Sequence, residues 1–539
     1  MKALLVYICP SKERHDYYMS LMPHGLTSLA AAAEDAGHRV VLANFSHRGI
    51  RGAMKCIRDE KPSIVGLSLF SYNRVETLKL IKKIKREMPR VVLVVGGHHA
   101  TALADEILER YTEIDHLVTG EGEAAWLELL DSLKAEQKLP RLVVGKRLKD
   151  LDKLPFPGAF TGKTIDVNPH EQYKMIISTR GCPNRCTFCA SPDFWGRRVT
   201  FRSAENLADE IEFIHKNYGI IYFSIRDDNF TLKKDRVIRF ARLLRERKLH
   251  LMWNCQARVD TIDGDMLREM KLAGLEHIQY GVESGSEPVL ARLDKDITLE
   301  AVRRAAALTR EAGIYLSIYL MTGLDGETMR DTKATIKLIR EILPGDGLVS
   351  PVAYYPGTGL YEEMKKEGKV TDRDWFTSHE TGLYVRDDSE TRQMQQKLLD
   401  QLGLIRERSW YRPKDFKKHR NYMGEECWVT DILEGDCWLD MERIDEAKEC
   451  FSAVIEQYPE NVWGFLRMGK LCFLAEEYRE SEAWYRRALE STPGYYGIYL
   501  KLTELALCRG NKQDAAAALK KAKNLNPFDP RIKNLKKLV

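Results

Sequence analysis

The chain has 539 residues, 44% of them hydrophobic and 30% charged, a composition typical of a globular protein with about three or four domains. Its net charge of +5 is too small to favour nucleic acid as a partner, and no run of about 20 apolar residues predicts a membrane span. The 11 cysteines are an odd number, and most of them lie singly at irregular spacing. This usage is typical of a reducing compartment, so we expect a cytoplasmic protein.

Strand and helix patterns alternate over residues 1–137, which predicts an α/β domain with a doubly wound parallel sheet of the flavodoxin-like type. The predicted strands are 2–8, 39–44, 64–70, 91–95 and 116–119, and the predicted helices are 25–36, 50–60, 75–88, 101–111 and 124–134. Ligands of such sheets bind at the carboxyl ends of the strands. No GxGxxG motif follows the first strand, so a dinucleotide is not expected.

Short motifs follow three of these strands. They are Ser68 and Tyr72 after the third strand, Gly96-Gly97-His98-His99-Ala100-Thr101 after the fourth, and Gly120-Glu121-Gly122-Glu123 after the fifth. The glycines would let the backbone approach a flat ligand closely. Together with Pro23-His24-Gly25-Leu26-Thr27-Ser28-Leu29-Ala30, the motifs at 96–101 and 120–123 resemble the cobalamin-binding domain at the N-terminus of many radical S-adenosylmethionine (SAM) enzymes. The resemblance implies that the residues of these three motifs hold cobalamin.

One departure from the wider cobalamin family concerns the cobalt ligand. The DxHxxG motif that supplies a lower axial histidine in the mutases is absent, so the resemblance implies base-off cobalamin. We do not predict His98 or His99 as a cobalt ligand, because a histidine in such a loop more often hydrogen-bonds to the backbone or to a ligand. The alternative for the whole domain is a module that has lost its cofactor and serves as a docking surface.

Residues 138–173 are predicted to form a linker, since Leu154-Pro155-Phe156-Pro157-Gly158 disfavours helix. Residues 174–360 alternate again, with strands near 174–179, 220–226, 250–256, 276–282, 314–321 and 347–354, and helices near 203–217, 233–246, 263–273, 299–313 and 328–343. Six such units predict a partial (β/α)₆ barrel, in which the chemistry lies at the carboxyl ends of the strands.

Cys182, Cys186 and Cys189 follow the first of these strands with the spacing CxxxCxxC. Thiolates select zinc, copper(I) or iron–sulfur clusters, and a structural zinc site would need a fourth ligand that is not nearby. The alternative is three inert buried cysteines. The loop resembles that of the radical SAM enzymes. The resemblance implies a [4Fe–4S] cluster whose open iron binds SAM, reductive cleavage of SAM to a 5′-deoxyadenosyl radical, and a SAM contact from Phe188.

Other strand ends also resemble this family. Asp228, in a DDxF phrase, is a candidate partner for the SAM ammonium or ribose, with a helix N-cap as the alternative. Arg258 is a candidate for the SAM carboxylate or for a structural ion pair. Glu283, in a GxESGS phrase, is implied to contact the SAM ribose or amino group, because an unpaired buried charge is costly. Gly323 is implied to admit the adenine ring, although Asp325 replaces the usual proline, and a simple turn is the alternative.

Residues 361–425 are predicted to form a helical bridge to a repeated tail at 426–539. Pro459, Pro493 and Pro527 lie 34 residues apart, and small and aromatic residues keep the same period, which is typical of tetratricopeptide repeats. Such repeats would hold a protein or peptide partner, or would form an internal clamp or a dimer contact.

The resemblance as a whole implies a cobalamin-dependent radical SAM enzyme that methylates an unactivated carbon of a small molecule or peptide, with a flavodoxin or ferredoxin as electron donor. A cobalamin-assisted cyclase or oxidase is the alternative within the class. A redox-sensing scaffold that recruits partners through its repeats is the alternative outside it. No residue is predicted to act as a catalytic acid, base or nucleophile.

Overall fold

The computed structural model of the chain describes residues 2–10, 16–377 and 388–539. Part of the predicted helical bridge, residues 378–387, therefore lies outside the described residues. Within the described ranges, no helix combines the length and the apolar character needed to cross a membrane.

The first part of the chain forms a seven-stranded, fully parallel sheet with the order β6-β5-β4-β3-β1-β2-β7. Its strands are β1 Lys2–Tyr7, β2 Arg39–Asn44, β3 Ile64–Ser68, β4 Val92–Gly96, β5 His116–Thr119, β6 Leu142–Val144 and β7 Lys163–Ile165. Its helices are α1 Tyr17–Ser20, α2 His24–Asp35, α3 Gly49–Glu60, α4 Arg74–Glu87, α5 His98–Ala102, α6 Ala104–Arg110 and α7 Glu123–Lys134. The inner strands are buried, and separate hydrophobic clusters cover the two faces of the sheet.

Two details of this part differ from the sequence-based expectation. The predicted linker is not a plain connection, because it supplies both edge strands, β6 and β7, before the short helix α8 Pro169–Gln172. The single helix predicted at 101–111 is two helices, since Leu103 has a non-helical backbone. The first of these two helices, α5, begins directly after Gly97 and lies at the carboxyl edge of the sheet.

The second part forms a six-stranded parallel sheet in which the strands follow one another in chain order. They are β8 Met175–Ile176, β11 Tyr222–Ile225, β12 Met252–Ala257, β13 Leu275–Glu283, β14 Tyr315–Thr322 and β15 Asp346–Pro351, and β9 Thr179–Arg180 pairs separately with β10 Thr200–Phe201. The helices are α9 Ser191–Trp195, α10 Ala204–Tyr218, α11 Lys234–Glu246, α12 Gly264–Leu272, α13 Glu287–Arg292, α14 Leu299–Glu311, α15 Met329–Ile342 and α16 Gly359–Lys366. The expected number and direction of the main strands are confirmed, whereas closure into a partial barrel stays a prediction.

The first strand of this sheet is shorter than expected. Only Met175 and Ile176 belong to the main sheet, because the chain then leaves it to form the β9–β10 ribbon. The buried carboxylate of Asp227 fixes this departure, since it accepts hydrogen bonds from the backbone N–H groups of Ser178 (2.6 Å) and Thr179 (3.0 Å). The cysteine loop therefore starts from a ribbon that is held by the end of the neighbouring strand.

The rest of the chain is helical. Its helices are α17 Ser389–Ser409, α18 Pro413–Met423, α19 Trp428–Asp440, α20 Ile444–Gln457, α21 Val462–Leu474, α22 Tyr478–Ser491, α23 Tyr496–Cys508, α24 Lys512–Leu525 and α25 Pro530–Leu535. From α19 to α24, helices of 13 and 14 residues alternate, so that equivalent helices begin at the period of the sequence repeat. The helical tail is thus established, and its assignment to tetratricopeptide repeats stays a prediction.

The tail packs against the second part along much of its length. One hydrophobic cluster runs without a break from the second sheet into helices α19 to α23. Glu425, the residue directly before the tail, forms ion pairs with Arg245 and Arg268, each at 2.6 Å. Farther along the tail, the ring of His170 lies 2.9 Å from the Leu525 carbonyl oxygen, measured from its Nε2 atom. These contacts favour the internal clamp that the sequence left open.

Replacing Gly219 tests this docking. Gly219 has a φ of 63°, and a Cβ atom there would lie 2.1 Å from the backbone carbon of Gly494 in the tail. Gly219→Ala should lower the thermal midpoint and raise hydrogen exchange in residues 490–500. The matched control is Gly368→Ala, at a φ of 71° with open space around it, which carries only the backbone cost of about 1 kcal/mol. Equal effects of the two variants would contradict the docking.

Candidate functional site

A cavity of about 420 Å³ opens between the carboxyl edge of the first sheet and the start of the second. Most of the residues predicted to hold cobalamin line it, namely Ser68, Tyr72, Gly96, Gly97, His98, Gly120, Glu121, Gly122 and Glu123. The second part contributes Arg180, Gly181, Phe194, Arg226 and Asp228. The cavity is therefore shared by the motif loops of the first sheet and by the residue that directly precedes Cys182.

Two glycines of the cavity wall lie too close to neighbouring protein atoms to carry a side chain. Gly97 has a φ of 107°, and a Cβ atom there would lie 2.9 Å from the Leu69 carbonyl oxygen. A Cβ atom at Gly66 would lie 2.7 Å from the Leu5 side chain. These two glycines are thus required by local packing, in addition to any approach of a flat ligand.

The two neighbouring histidines have different surroundings. His98 lines the cavity, packs against the ring of Phe194 at 4.0 Å, and has a pKa that burial lowers to about 4. His99 is buried away from the cavity, where its Nδ1 atom lies 2.9 Å from the Ser71 hydroxyl. Thr101 is also outside the wall and accepts a hydrogen bond from the Gly120 N–H at 3.1 Å. This geometry therefore favours a structural role for His99 and Thr101 over direct contact with a cofactor.

The acidic residues of the fifth-strand loop bind an arginine of the second part. Arg180 donates to Glu121 at 3.0 Å and to Glu123 at 3.2 and 2.5 Å, and all three side chains are at least nine-tenths buried. Although burial raises the pKa of Glu123, the Arg180 guanidinium and the Ser28 hydroxyl lower it below its usual value. Burial raises the pKa of Glu121. The pair binds Arg180, two residues before Cys182, and it also lines the cavity, so the expected corrin contact stays a prediction.

A second arginine fixes the same loop. Arg147, from the segment after β6, donates to the carbonyl oxygens of Arg180 (3.1 Å), Arg198 (2.6 Å) and Trp195, and to the Thr200 hydroxyl (3.2 Å). These acceptors belong to the ribbon, to the helix between its strands and to the turn that follows this helix. The segment predicted as a linker thus holds the base of the cysteine loop in place, which the sequence did not indicate.

Each of the three cysteine sulfurs faces one N–H donor. Asn184 Nδ2 lies 3.2 Å from Cys182 Sγ, the Ser191 N–H lies 3.4 Å from Cys189 Sγ, and Arg258 Nη1 lies 3.7 Å from Cys186 Sγ. Burial raises the pKa of both Cys186 and Cys189, the latter to about 12. Donors of this kind stabilise cluster-bound sulfurs. The donor set therefore fits an iron–sulfur cluster.

In the ranges that the structure describes, no three histidine, cysteine or carboxylate side chains converge closely enough for a single metal ion. A cubane cluster binds each thiolate to a different iron, so its thiolates stay farther apart than the ligands of one ion. Cys182, Cys186 and Cys189 would each bind a different iron of such a cluster.

Asp228 does not cap a helix, so that alternative is wrong. Its carboxylate accepts a hydrogen bond from the Ser191 hydroxyl at 2.5 Å and opens onto the cavity, while Asn229 and Lys233 precede the next helical segments without a side-chain cap. Burial raises the pKa of Asp228. Because Ser191 also contacts Cys189, Asp228 lies beside the cysteine loop, where a cation of a bound ligand would find it.

Glu283 has a partner that sequence reasoning missed. At the end of β13 its carboxylate forms a buried ion pair with Lys295 at 2.7 Å, and the Lys295 ammonium lies 5.7 Å from the centroid of the Phe188 ring. Glu283 also has a φ of 66°, which is strained for a residue with a side chain. Phe188 and Glu283 are therefore brought together beside the cysteine loop through Lys295.

Two other candidates are engaged by the protein itself. Two nitrogens of the Arg258 guanidinium donate to the Asp260 carboxylate, each at 3.0 Å, so Arg258 forms the structural ion pair. Its third nitrogen, Nη1, faces Cys186 Sγ. Gly323 has a φ of 84° and donates its N–H to Glu327 at 2.6 Å. These contacts favour the structural alternative for both residues.

Comparison with known protein families matches separate models to the two parts of the chain that line the cavity. The B12 binding domain model matches residues 16–130, and the Radical SAM superfamily model matches residues 176–339. An uncharacterized methyltransferase of Pyrococcus horikoshii is 27% identical over 342 residues, covering 60% of this chain and 73% of the relative. An anaerobic magnesium-protoporphyrin IX monomethyl ester cyclase of Rubrivivax gelatinosus is 27% identical over 337 residues, covering 58% of this chain and 60% of the cyclase.

A solved structure shares the fold. The radical SAM methyltransferase TsrM of Kitasatospora setae, with cobalamin and a [4Fe–4S] cluster bound, superimposes with a TM-score of 0.57 at 20% identity, over 68% of this chain and 78% of that one. The two domain matches show that the chain contains a B12 binding domain and a radical SAM domain.

The ion pairs around Arg180 lead to a test of stability and pH dependence. Glu123→Gln should destabilise the protein by about 3 kcal/mol, the lower end of the cost of breaking a buried ion pair, because Glu121 still compensates part of the guanidinium charge. Since the folded pKa of Glu123 is lowered, its contribution is complete above about pH 4.5, the unfolded value, and is lost as the pH falls further. Thermal unfolding of the apoprotein against pH would measure both effects.

The control is Glu205→Gln, because Glu205 pairs with Arg239 at 2.9 Å on the surface, where both side chains are about half exposed. Exposed pairs contribute little, so this variant should change the midpoint much less. Equal losses for the two variants, or a Glu123→Gln loss that persists unchanged at low pH, would contradict the assigned ion pair.

Proposed function

We propose that this chain is a cobalamin-dependent radical SAM methyltransferase that transfers a methyl group to an unactivated carbon. The observation that carries the proposal is the shared wall of the cavity. Gly96, Gly97 and His98 of the first sheet line it together with Asp228 and Gly181, the residue directly before Cys182. A corrin held by the first sheet would therefore lie next to a cluster held by the cysteine loop.

In this proposal the chain supplies position and shielding. When bound, the cluster and SAM supply a 5′-deoxyadenosyl radical, and cobalamin supplies the methyl group. Cys182, Cys186 and Cys189 would hold the cluster, while the donors that face their sulfurs would stabilise its negative charge. Asp228 would accept the SAM ammonium, and the neighbouring Phe188 and Glu283 would complete the SAM site.

The aromatic wall of the cavity would keep water from the reacting groups. The ring of Phe70 stacks on those of Tyr72 and His98, with centroid distances of 5.3 and 6.0 Å. The ring of Phe194, from the second part, packs against the ring of His98. A neutral His98, whose pKa burial lowers to about 4, adds no charge to this wall at neutral pH. A dry site suits a reaction in which a carbon radical must meet a methyl donor before it meets solvent.

Methylation is preferred to cyclisation because methyltransferases occur among both the sequence relatives and the solved structures of the same fold. Ring formation is the second candidate, because one relative is a cyclase.

Several other expectations stay predictions. They are the division of the chain at residues 137, 173, 360 and 425, the flavodoxin or ferredoxin donor, the cytoplasmic location and a protein partner on the repeats. The docked tail favours an internal clamp over recruitment.

The products distinguish the two reactions. The reconstituted enzyme with SAM, reductant and substrate should form one S-adenosylhomocysteine for each 5′-deoxyadenosine, because methylation consumes a second SAM to restore the methyl donor. Chromatography of both nucleosides measures the ratio. Formation of 5′-deoxyadenosine without S-adenosylhomocysteine would favour cyclisation or oxidation and would contradict methylation.

Cysteine variants provide the matched control. Cys186→Ala should abolish both products, because Cys186 is a predicted cluster ligand, whereas Cys508→Ala should leave both unchanged, since Cys508 is exposed on the tail. A Cys186→Ala enzyme that still cleaves SAM would contradict the assignment of the cluster loop.

A further inference from the structure

A row of polar side chains crosses four neighbouring strands of the second sheet beside the cavity. Arg226 Nη1 donates to Gln279 Oε1 at 2.9 Å, the Tyr319 hydroxyl donates to the same oxygen at 2.7 Å, and Gln256 Nε2 donates to Tyr319 at 3.0 Å. All four side chains are half-buried. Half-buried polar side chains need partners, and these hydrogen bonds hold Gln279 in place as an acceptor for Arg226, the member of the row that lines the cavity.

Arg226 carries the only formal charge of this row, and no carboxylate among the described residues pairs with it. Besides Gln279, its guanidinium donates to the Tyr18 hydroxyl at 2.9 Å and lies 5.1 Å from the centroid of the Tyr18 ring. Its Nε atom is buried without an acceptor. Throughout residues 2–10, 16–377 and 388–539, no carboxylate forms an ion pair with Arg226.

The other arginines of the site differ in this respect. Arg180 is bound by Glu121 and Glu123, and Arg258 is bound by Asp260. A partly buried guanidinium without a counter-ion is unfavourable, and its fork of donors matches a carboxylate or a phosphate. Arg226 lines the cavity, so an anion that enters the cavity can reach it.

We propose that Arg226, together with Gln279 and Tyr18, binds a carboxylate or phosphate group of the substrate, and that the substrate is therefore an anion. The proposal rests on the function proposed above. It assigns to Arg226 the role of a specificity-determining residue, and it assigns to Gln256, Gln279 and Tyr319 the role of positioning the Arg226 guanidinium.

The carboxylate of SAM and the phosphate of cobalamin are two other sources of the same chemistry. The side chains that face the cysteine sulfurs are Asn184 and Arg258, and Arg226 contacts neither. Asp228, two residues later, turns to Ser191 beside Cys189, whereas Arg226 turns to Gln279 on the sheet. Arg226 thus binds a side chain of the sheet, whereas Asp228 binds a residue beside the cysteine loop, although both line the same cavity.

The first experiment separates these sources. Cluster-loaded wild-type protein, Arg226→Met, Arg226→Lys and the surface control Arg239→Met would be titrated with SAM and, separately, with hydroxocobalamin. The proposal expects dissociation constants within about twofold of wild type for every variant, which also shows that the variants are folded. A loss of about tenfold or more in either affinity for Arg226→Met alone assigns the residue to that cofactor and overturns the proposal.

The second experiment tests the substrate class. An extract of the source cells, including its macromolecules, would be divided on an anion-exchange resin, and each fraction would be incubated with the reconstituted enzyme and SAM that carries a trideuterated methyl group. We expect the labelled product to arise from the retained fraction. Arg226→Met should lower kcat/KM by about 10- to 100-fold, mainly through KM, because a charge-assisted contact is lost.

Arg226→Lys should fall between wild type and Arg226→Met, since lysine keeps the charge without the fork. Labelled product from the unretained fraction, or an unchanged kcat/KM for Arg226→Met, would overturn the anion site. Neither result would contradict the proposed methyltransferase function. Absence of label from every fraction, with cluster and corrin bound and the control Arg239→Met equally inactive, rejects the proposed function and the anion site with it.

Discussion

A buried ion pair across the joint between the two sheets is the constraint on which the site depends. Arg180 lies two residues before Cys182, and its charge is compensated by Glu121 and Glu123, which follow the fifth strand of the first sheet. Removing one partner of such a pair leaves an uncompensated buried charge and costs about 3–5 kcal/mol. The cysteine loop is therefore held by the same loop that lines the cavity, and the two halves of the site cannot move independently of each other.

This joint explains how two parallel sheets share one site. Each sheet presents the carboxyl ends of its strands, and the cavity lies between the two edges. On one side, Asp228 and Ser191 connect the cavity to Cys189, and on the other, Arg226 connects it to the polar row of the second sheet. The tail lies behind the second sheet and adds to its hydrophobic core, so its packing stabilises the scaffold without entering the cavity.

The parts of this architecture that depend on local pattern were predictable, because period, strand ends and the CxxxCxxC spacing are properties of short segments. Strands 39–44 and 116–119 and the position of the cysteine loop are examples. Contacts between distant segments were not predictable. Glu121 and Glu123 were assigned to the corrin because nothing in the sequence pairs them with Arg180, and Lys295 gave no signal as the partner of Glu283. The linker strands were missed because three-residue edge strands are too short to show a period.

The central claim is that one chain holds a cluster and a corrin next to each other across this joint. Anaerobic reconstitution with iron, sulfide and hydroxocobalamin, followed by a metal count and a visible spectrum, tests it most directly. The account predicts about four irons and one tightly bound corrin per chain, since three thiolates with an open iron define a cubane cluster in this setting. Four irons with no bound corrin would contradict it and would leave the first domain as a docking surface that has lost its cofactor.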